Sequence, residues 1–315
     1  MKNSKKSAHV QWFCCVISLA VLLPLFFWGG PIYHSSRSFN EFWNLGHLLF
    51  FMLFLRVFAG RISLARLSWS FVWKMVVVVL GCGVLIEALQ AGFGGRTSSL
   101  GDVWRDMAGG IIGLVWVGWA SVTKLQRGVL VLVVFFVVVV SIIPLGVVLV
   151  DEVRARRDFP ILSSFETASE LSRWHAKTEI SQVKDPVRQG RFALRLPLTT
   201  DTYSGIGLKY FPRNWNGMKG LSLSIYNPEQ SVLQITFRVH DRLHVEGKQI
   251  YADRFNRSLT MQPGWNVIFI LMDDIKNAPA NREMDLANIY GFGLFSSDLK
   301  EEKVIYIDDV RLVDG

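Results

Sequence analysis

Two hydrophobic patterns meet near residue 150. Before it, apolar residues run in long unbroken blocks; after it, they alternate with polar residues in short runs. Val10 to Gly30 carries no charge over 21 residues, and residues 128–150 carry none over 23. A helix of about 20 apolar residues crosses the hydrocarbon of a bilayer, so both blocks predict transmembrane helices. Further blocks fall at residues 42–59, 67–90 and 107–123. His47 and Arg56 interrupt the block at 42–59, where an arginine near a helix end can extend its head to the lipid headgroups. The first block, preceded by Lys2, Lys5 and Lys6, also has the outline of a signal peptide. No small-residue cleavage site follows Pro24-Leu25-Phe26-Phe27-Trp28, and more apolar blocks come after it, which favours a membrane helix.

From Asp158 the period changes to two. Phe192, Leu194 and Leu196 alternate with Arg191, Ala193 and Arg195; Leu221, Leu223 and Ile225 alternate with Ser222, Ser224 and Tyr226. Ile235, Phe237 and Val239, then Trp265, Val267, Phe269 and Leu271, repeat the pattern, and Val304 to Leu312 closes it. Asn227-Pro228, Glu246-Gly247 and Gln262-Pro263-Gly264 supply turns between the runs. Such spacing predicts an all-β antiparallel sandwich. The expected organisation is multi-domain: an α-helical membrane domain of five transmembrane helices over 1–150, a linker at 151–159, and a sandwich at 160–315.

Charge adds an orientation. Residues 1–150 hold 12 basic and 4 acidic residues, so the whole net charge of +8 belongs to the apolar half. Basic residues beside apolar blocks mark the cytoplasmic ends of membrane helices, and nucleic acid is set aside as a partner. With a cytoplasmic N-terminus, that side collects Lys2, Lys5, Lys6, Arg61, Arg66, Lys124 and Arg127. The positive-inside rule then sends the sandwich out of the cytoplasm, although Arg154, Arg156 and Arg157 after the last block pull mildly the other way. Cys14, Cys15 and Cys82 all fall in apolar blocks and have no metal or redox spacing.

That orientation gathers the ionisable groups of the apolar half at the outer leaflet. Glu87 and Gln90 share a helix face near the end of one block, and Asp102 and Asp106 share a face at the start of the next. Arg96 lies in the glycine-rich turn between them, and His47 near the start of an inward-going helix. A carboxylate inside an apolar block is costly, which makes Glu87 the best functional candidate. Arg96 and the aspartates read equally well as a solvated interfacial loop, and His47 alone as a packing residue.

The order His47, Glu87-x-x-Gln90, Gly95-Arg96, Asp102, a polar residue at Asp106, then Gly109 and Gly113 resembles the VanZ-like family of small membrane proteins over residues 10–123. Asp106 departs from the asparagine expected there. The family's founding member is associated with low-level teicoplanin resistance through an unsettled mechanism. The resemblance therefore implies a place in the cell envelope and a lipid or lipid-linked glycan partner more firmly than a reaction. The cluster could serve acid–base chemistry or hold a cation, but no nucleophile motif or Gly-x-Ser-x-Gly elbow accompanies it.

Residues 160–313, with Ser164-Phe165-Glu166, Gly190-Arg191-Phe192, Leu221 to Pro228, Pro263-Gly264-Trp265 and Tyr306 to Leu312, resemble the galactose-binding-type jelly roll of carbohydrate-binding modules. That resemblance implies a cell-surface carbohydrate partner and a structural Ca2+ held by Glu166 and Asp308, which otherwise are ordinary carboxylates at strand ends. For the sugar, Tyr226, Arg238 and His240 stand on the outward faces of their strands by alternation and are the binding candidates. No carboxylate pair has the setting of a glycosidase. The alternative is a non-catalytic membrane scaffold whose sandwich binds another envelope protein.

Overall fold

The computed structural model describes residues 2–27, 30–31, 35–59, 68–92 and 100–314. The chain forms two compact units, Met1–Val148 and Leu149–Gly315.

The first unit is helical: α1 (Lys2–Leu25), α2 (Arg37–Ala59), α3 (Trp69–Gly92), α4 (Leu100–Gly118) and the start of α5 (Lys124–Arg157). Among the described residues, three helical stretches are long and apolar enough to cross a membrane: Arg37–Ala59, Trp69–Gln90 and Lys124–Arg157. Trp12–Leu25 forms a shorter apolar stretch. Pro24 stands in the last turn of α1, and Pro144 is carried within α5, each removing one N–H from its helix. Ser141 meets its own need by donating to the Val137 carbonyl at 2.8 Å.

Glycine decides how α2 and α4 meet. A Cβ on Gly109 would lie 2.2 Å from the Leu48 carbonyl oxygen, and one on Gly113 2.8 Å from that of Met52. Both pairs are spaced i, i+4, so one glycine face of α4 lies directly on the backbone of α2, as small residues allow between membrane helices. Phe51, Leu55, Val79 and Ile86 fill the interior around this contact. Phe50 stands edge-on to Phe26 at 5.0 Å, linking α2 to the end of α1.

Helix ends differ from those the hydrophobic blocks predict, because apolar counting misses polar helical turns. α2 begins at Arg37 rather than 42, and α4 at Leu100 rather than 107, so Asp102, Arg105 and Asp106 all stand on α4. Asp102 in the first turn suits the positive end of the helix. α5 runs to Arg157, so most of the expected 151–159 linker is helix.

The second unit is an antiparallel sandwich, as alternation predicts. Its strands are β1 (Ile161–Ser163), β2 (Trp174–Ala176), β3 (Ser181–Val183), β4 (Ala193–Leu198), β5 (Tyr203–Leu208), β6 (Met218–Asn227), β7 (Leu233–Asp241), β8 (Phe255–Met261), β9 (Gly264–Leu271), β10 (Ile289–Ser297) and β11 (Lys303–Asp314). One sheet runs β3-β4-β11-β6-β9 with β1 also on β11, and the other β2-β5-β10-β7-β8. Leu194, Leu196, Leu223, Ile225, Ile305 and Ile307 from the first sheet meet Ile206, Ile235, Phe237, Phe292 and Leu294 from the second. The expected inward set of β9 is the one reversed: Ile268 and Ile270 are buried, whereas Val267, Phe269 and Leu271 are exposed. Alternation could not settle the facing of this strand, since both faces of Trp265–Leu271 are apolar apart from Asn266.

Asp151 is fully buried in this unit, where Arg173 donates to both its carboxylate oxygens at 2.9 Å and Ser169 adds a third bond at 3.0 Å. Arg173 also donates to the Leu162 carbonyl at 3.0 Å. A buried pair of this kind is stable only when its remaining donors and acceptors are satisfied, as they are here.

Candidate functional site

The helical unit brings most of the sequence-selected polar residues together. His47, Glu87, Gln90, Asp102 and Asp106 are all buried. His47 Nδ1 and Asp106 Oδ1 are 2.8 Å apart, joining α2 to α4. Asp106 is 1% exposed, and its Oδ2 makes no hydrogen bond among the described residues. A Cβ on Gly83 of α3 would come within 2.5 Å of that oxygen, so glycine makes room for it. Gln90 donates to the Phe26 carbonyl at 3.0 Å, and the Phe26 ring stands edge-on to His47 at 4.6 Å. One ligand-type atom each from His47, Glu87 and Asp102 lies within 4.8 Å of the others.

Arg96 lies outside the described residues. Arg105 occupies the counter-charge role here, donating to Asp102 Oδ1 at 2.9 Å and to Glu41 Oε2 at 2.5 Å. Neither Arg105 nor Glu41 emerged from the sequence as a site residue, although Arg105 stands at i+3 from Asp102. Its pairing with Glu41 joins residues 64 positions apart, which local spacing does not reveal.

With Nδ1 engaged by Asp106, His47 has Nε2 left as the ring nitrogen for a further partner or a cation. His47 also lines an apolar groove of about 340 Å³ with Leu22, Phe26, Phe42, Trp43 and Gly46. It is the ionisable residue in a wall otherwise fitted to hydrocarbon.

The sandwich carries a larger cleft of about 690 Å³ on its second sheet. Register builds its floor: His175, Gly207, Gly293 and Arg238 stand abreast on four adjacent strands. The two glycines lower the floor between the side chains of β2 and β7. Tyr203, 64% exposed, and Tyr251, 67% exposed, line the opening with Lys177, Arg238 and Arg254. Tyr203 rests edge-on against Phe295 at 5.6 Å, and the Arg254 guanidinium lies 5.4 Å from the Tyr251 ring centre. Arg254 Nε has no hydrogen-bond partner among the described residues.

Of the three residues selected for glycan contact, only Arg238 lines this cleft. Tyr226 belongs to the other sheet and packs with Trp265 at 5.3 Å and Tyr306 at 6.1 Å. His240 is close to Gly291, His244 and Tyr290. Burial, with the nearby Arg238 charge second, pushes its pKa down from 6.5 to about 3, so it is neutral near pH 7. Tyr203 and Tyr251 were missed because one opens a glycine-rich strand and the other sits between strands, where alternation gives no facing.

Glu166 and Asp308 have another task than calcium. Glu166 Oε1 accepts from the Arg191 and Phe192 amides at 2.7 and 3.1 Å, and Arg191 Nε approaches Oε2 at 3.4 Å. Asp308 Oδ2 accepts from the Arg188 and Gln189 amides at 2.8 and 2.9 Å, and Oδ1 from Asp309 at 2.7 Å. All four oxygens face N–H donors, whereas Ca2+ asks for six to eight oxygen ligands. This corner does not fit the ion; it clamps residues 188–192. Burial raises the pKa of Asp308 and outweighs the amide bonds that lower it. In Glu166 burial also acts upward, but the amide bonds prevail and lower it.

Residues 3–121 match the family model described as VanZ/LLP1, in agreement with the resemblance carried by His47, Glu87 and Gln90. A comparison with curated proteins found no match. Among solved structures, the chain is similar to a family 11 carbohydrate-binding module from Clostridium thermocellum in complex with a β-1,3-1,4-mixed-linked tetrasaccharide, at 16% identity and a TM-score of 0.39, covering 49% of this chain and 95% of that one. A family 11 module of the Clostridium thermocellum cellulase Lic26A-Cel5E is similar at 14% identity and a TM-score of 0.38, covering 49% and 94%. An exo-β-agarase is similar at 17% identity and 0.38, covering 49% and 25%. The chain thus joins a VanZ-type helical region to an antiparallel β-sandwich, and its apolar helices are those of a membrane protein.

Proposed function

We propose that this is a multi-pass protein of the cytoplasmic membrane whose sandwich lies on the extracytoplasmic side and binds an acidic glycan of the cell surface. The cleft carries this reading. Two exposed tyrosines offer faces for sugar rings, and Lys177, Arg238 and Arg254 stand among its lining residues with no carboxylate. Sugars stack on aromatic faces through their C–H surfaces while charged donors select carboxylate or phosphate substituents.

The helical cluster, in this reading, receives the headgroup of a membrane lipid or lipid-linked glycan, with a hydrocarbon chain along the groove beside His47. In this reading α1 and α4 cross the membrane beside the three longer apolar helices, and the excess of basic residues keeps the N-terminus cytoplasmic. Any part in teicoplanin-type resistance would follow from handling such an envelope lipid. No step of bond making is assigned.

A glycan array probed with residues 149–315 tests the sandwich; starting at 149 keeps Asp151 with Arg173. Acidic glycans should be retained, and Tyr251→Ala should weaken binding by about twofold to tenfold, from a ring contribution of about 0.5–1.5 kcal/mol. Arg238→Gln should cost acidic glycans more than neutral ones. Absence of all glycan binding at millimolar ligand would sink the carbohydrate reading and leave an envelope-protein scaffold. Cysteine labelling at Ser231 from outside intact cells tests the orientation.

A further inference from the structure

The geometry points to a divalent metal site formed by His47, Glu87 and Asp102 in the helical unit. Three helices each contribute one ligand: α2 the imidazole, α3 and α4 the carboxylates. The three donor atoms lie within 4.8 Å of one another in a buried setting. Metal–ligand bonds of about 2.0–2.2 Å place ligands of a tetrahedral ion about 3.4 Å apart, so an ion would draw these groups inward by roughly 1 Å. Such a change lies within the reach of side-chain torsions.

A second observation concerns orientation. Asp106 holds His47 through Nδ1 at 2.8 Å, which leaves Nε2 as the ring nitrogen available to an ion. A ligating histidine characteristically gives its other nitrogen to a carboxylate, which sets the tautomer and strengthens the ligand. Arg105 plays the matching part for Asp102: it binds Oδ1 at 2.9 Å and leaves the second oxygen for an ion. Asp106 is therefore a positioning residue rather than a ligand.

Charge supports a cation as well. Glu41, Glu87, Asp102 and Asp106 are the four carboxylates of residues 1–150, and Arg105 bonds two of them. Arg37, one turn before Glu41, is also buried on α2. Grouped carboxylates in a low-dielectric setting are costly without positive charge close by. One imidazole with two carboxylates is a mixed nitrogen and oxygen set that suits Zn2+ or Mn2+, whereas Ca2+ and Mg2+ favour oxygen alone. Placed beside the apolar groove, the ion would meet a phosphate at the head of a hydrocarbon chain. The proposal deepens the headgroup reading and rests on it for its purpose, but ion binding can be measured with no ligand lipid present.

The full chain, purified through a tag without histidine into nanodiscs of uncharged lipid, would be stripped with chelator and equilibrated with Zn2+ or Mn2+ alone. Elemental analysis should find one ion per chain. Glu87→Gln, which preserves shape, and His47→Ala should each lose it, and Asp106→Asn should weaken it by about tenfold to a hundredfold. Thermal unfolding identifies any variant that fails to fold, and the wild-type stoichiometry decides without variants. A wild-type chain that retains neither ion, or a folded Glu87→Gln that retains the same amount, would overturn the site. Phospholipid capture that depends on Glu87 but proceeds in chelator would leave the headgroup reading standing without the metal.

Discussion

Replacing Gly109 by alanine should damage the helical site without touching a polar residue. The added Cβ would sit 2.2 Å from the Leu48 carbonyl oxygen, where carbon atoms need at least 3.0 Å. Both sides of the contact are backbone, so the helices themselves must separate by roughly 1 Å. Overpacking of this kind costs about 1–3 kcal/mol. His47 immediately precedes Leu48, and Asp106 lies one turn before Gly109. The same separation stretches their 2.8 Å bond to a length at which little attraction remains, adding about 1–3 kcal/mol for a buried polar pair. Thermal unfolding of the full chain in nanodiscs should show a loss of about 2–6 kcal/mol and a weaker hold on Zn2+. Two other glycines calibrate it. Gly81 has nothing within 4 Å of an added Cβ, and Gly110 would meet Val79 Cγ2 at 3.2 Å, a side chain that can turn aside. Gly81→Ala should be neutral or stabilising by up to about 1 kcal/mol, and Gly110→Ala should fall between. A Gly109→Ala protein as stable as Gly81→Ala would refute the backbone contact and the coupling drawn from it.

Other consequences concern the sandwich. Asp151→Ala leaves Arg173 buried without its carboxylate and should cost about 3–5 kcal/mol in chemical unfolding of residues 149–315, whereas an exposed pair such as Lys177–Asp201 should cost under about 1 kcal/mol. His240 binds its proton only near pH 3 in the folded state, against 6.5 when unfolded. Between those values the unfolded chain holds more protons, so stability should fall as pH drops from 6.5 toward 3, and His240→Asn should flatten that slope in a denaturant series. Asp241 behaves as a carboxylate depressed on folding: burial acts upward, but Arg282 and the Asp285 and His244 amides prevail. Its contribution is present above the ordinary carboxylate pKa and is lost as pH falls through the lowered one, so Arg282→Leu should raise the acid-unfolding midpoint.

Much of the architecture could be read from periodicity because each pattern matched a physical burial. Leu194 and Leu196, or Ile235, Phe237 and Val239, alternate with polar neighbours and face the sandwich core. Where both faces of a strand are apolar, as in β9, the pattern loses its direction. In the helical half, hydrophobic counting located the blocks but shortened α4, since Leu100–Asp106 is polar on the face that meets Glu41, His47 and Glu87. Arg105 stands between the two aspartates in sequence, but its contact with Glu41, 64 residues away, depends on how α4 packs against α2.

The two sites differ in what sequence can show of them. His47, Glu87, Asp102 and Asp106 were conspicuous because each charge or imidazole stood out against an apolar background, and helical spacing could group them. The cleft of the sandwich has no such contrast. Its floor depends on Gly207 meeting Gly293 across two strands, and Arg238 enters only through the next pairing. Tyr251 lies outside the strands altogether, and Tyr203 opens β5. A shift of one residue in the β5–β10 register would turn Gly207 against Phe292 or Leu294 and replace the open floor by a bulky side chain. In the proposed reading, recognition there is a property of strand pairing, and substitutions in the floor should act more strongly than their small side chains suggest. Gly293→Val would test this: its Cβ would stand 3.1 Å from the Ile206 carbonyl, and its methyl groups would occupy space between Arg238 and His175. Loss of glycan binding in a still-folded domain would tie the ligand to that row, whereas full binding would move it off the cleft.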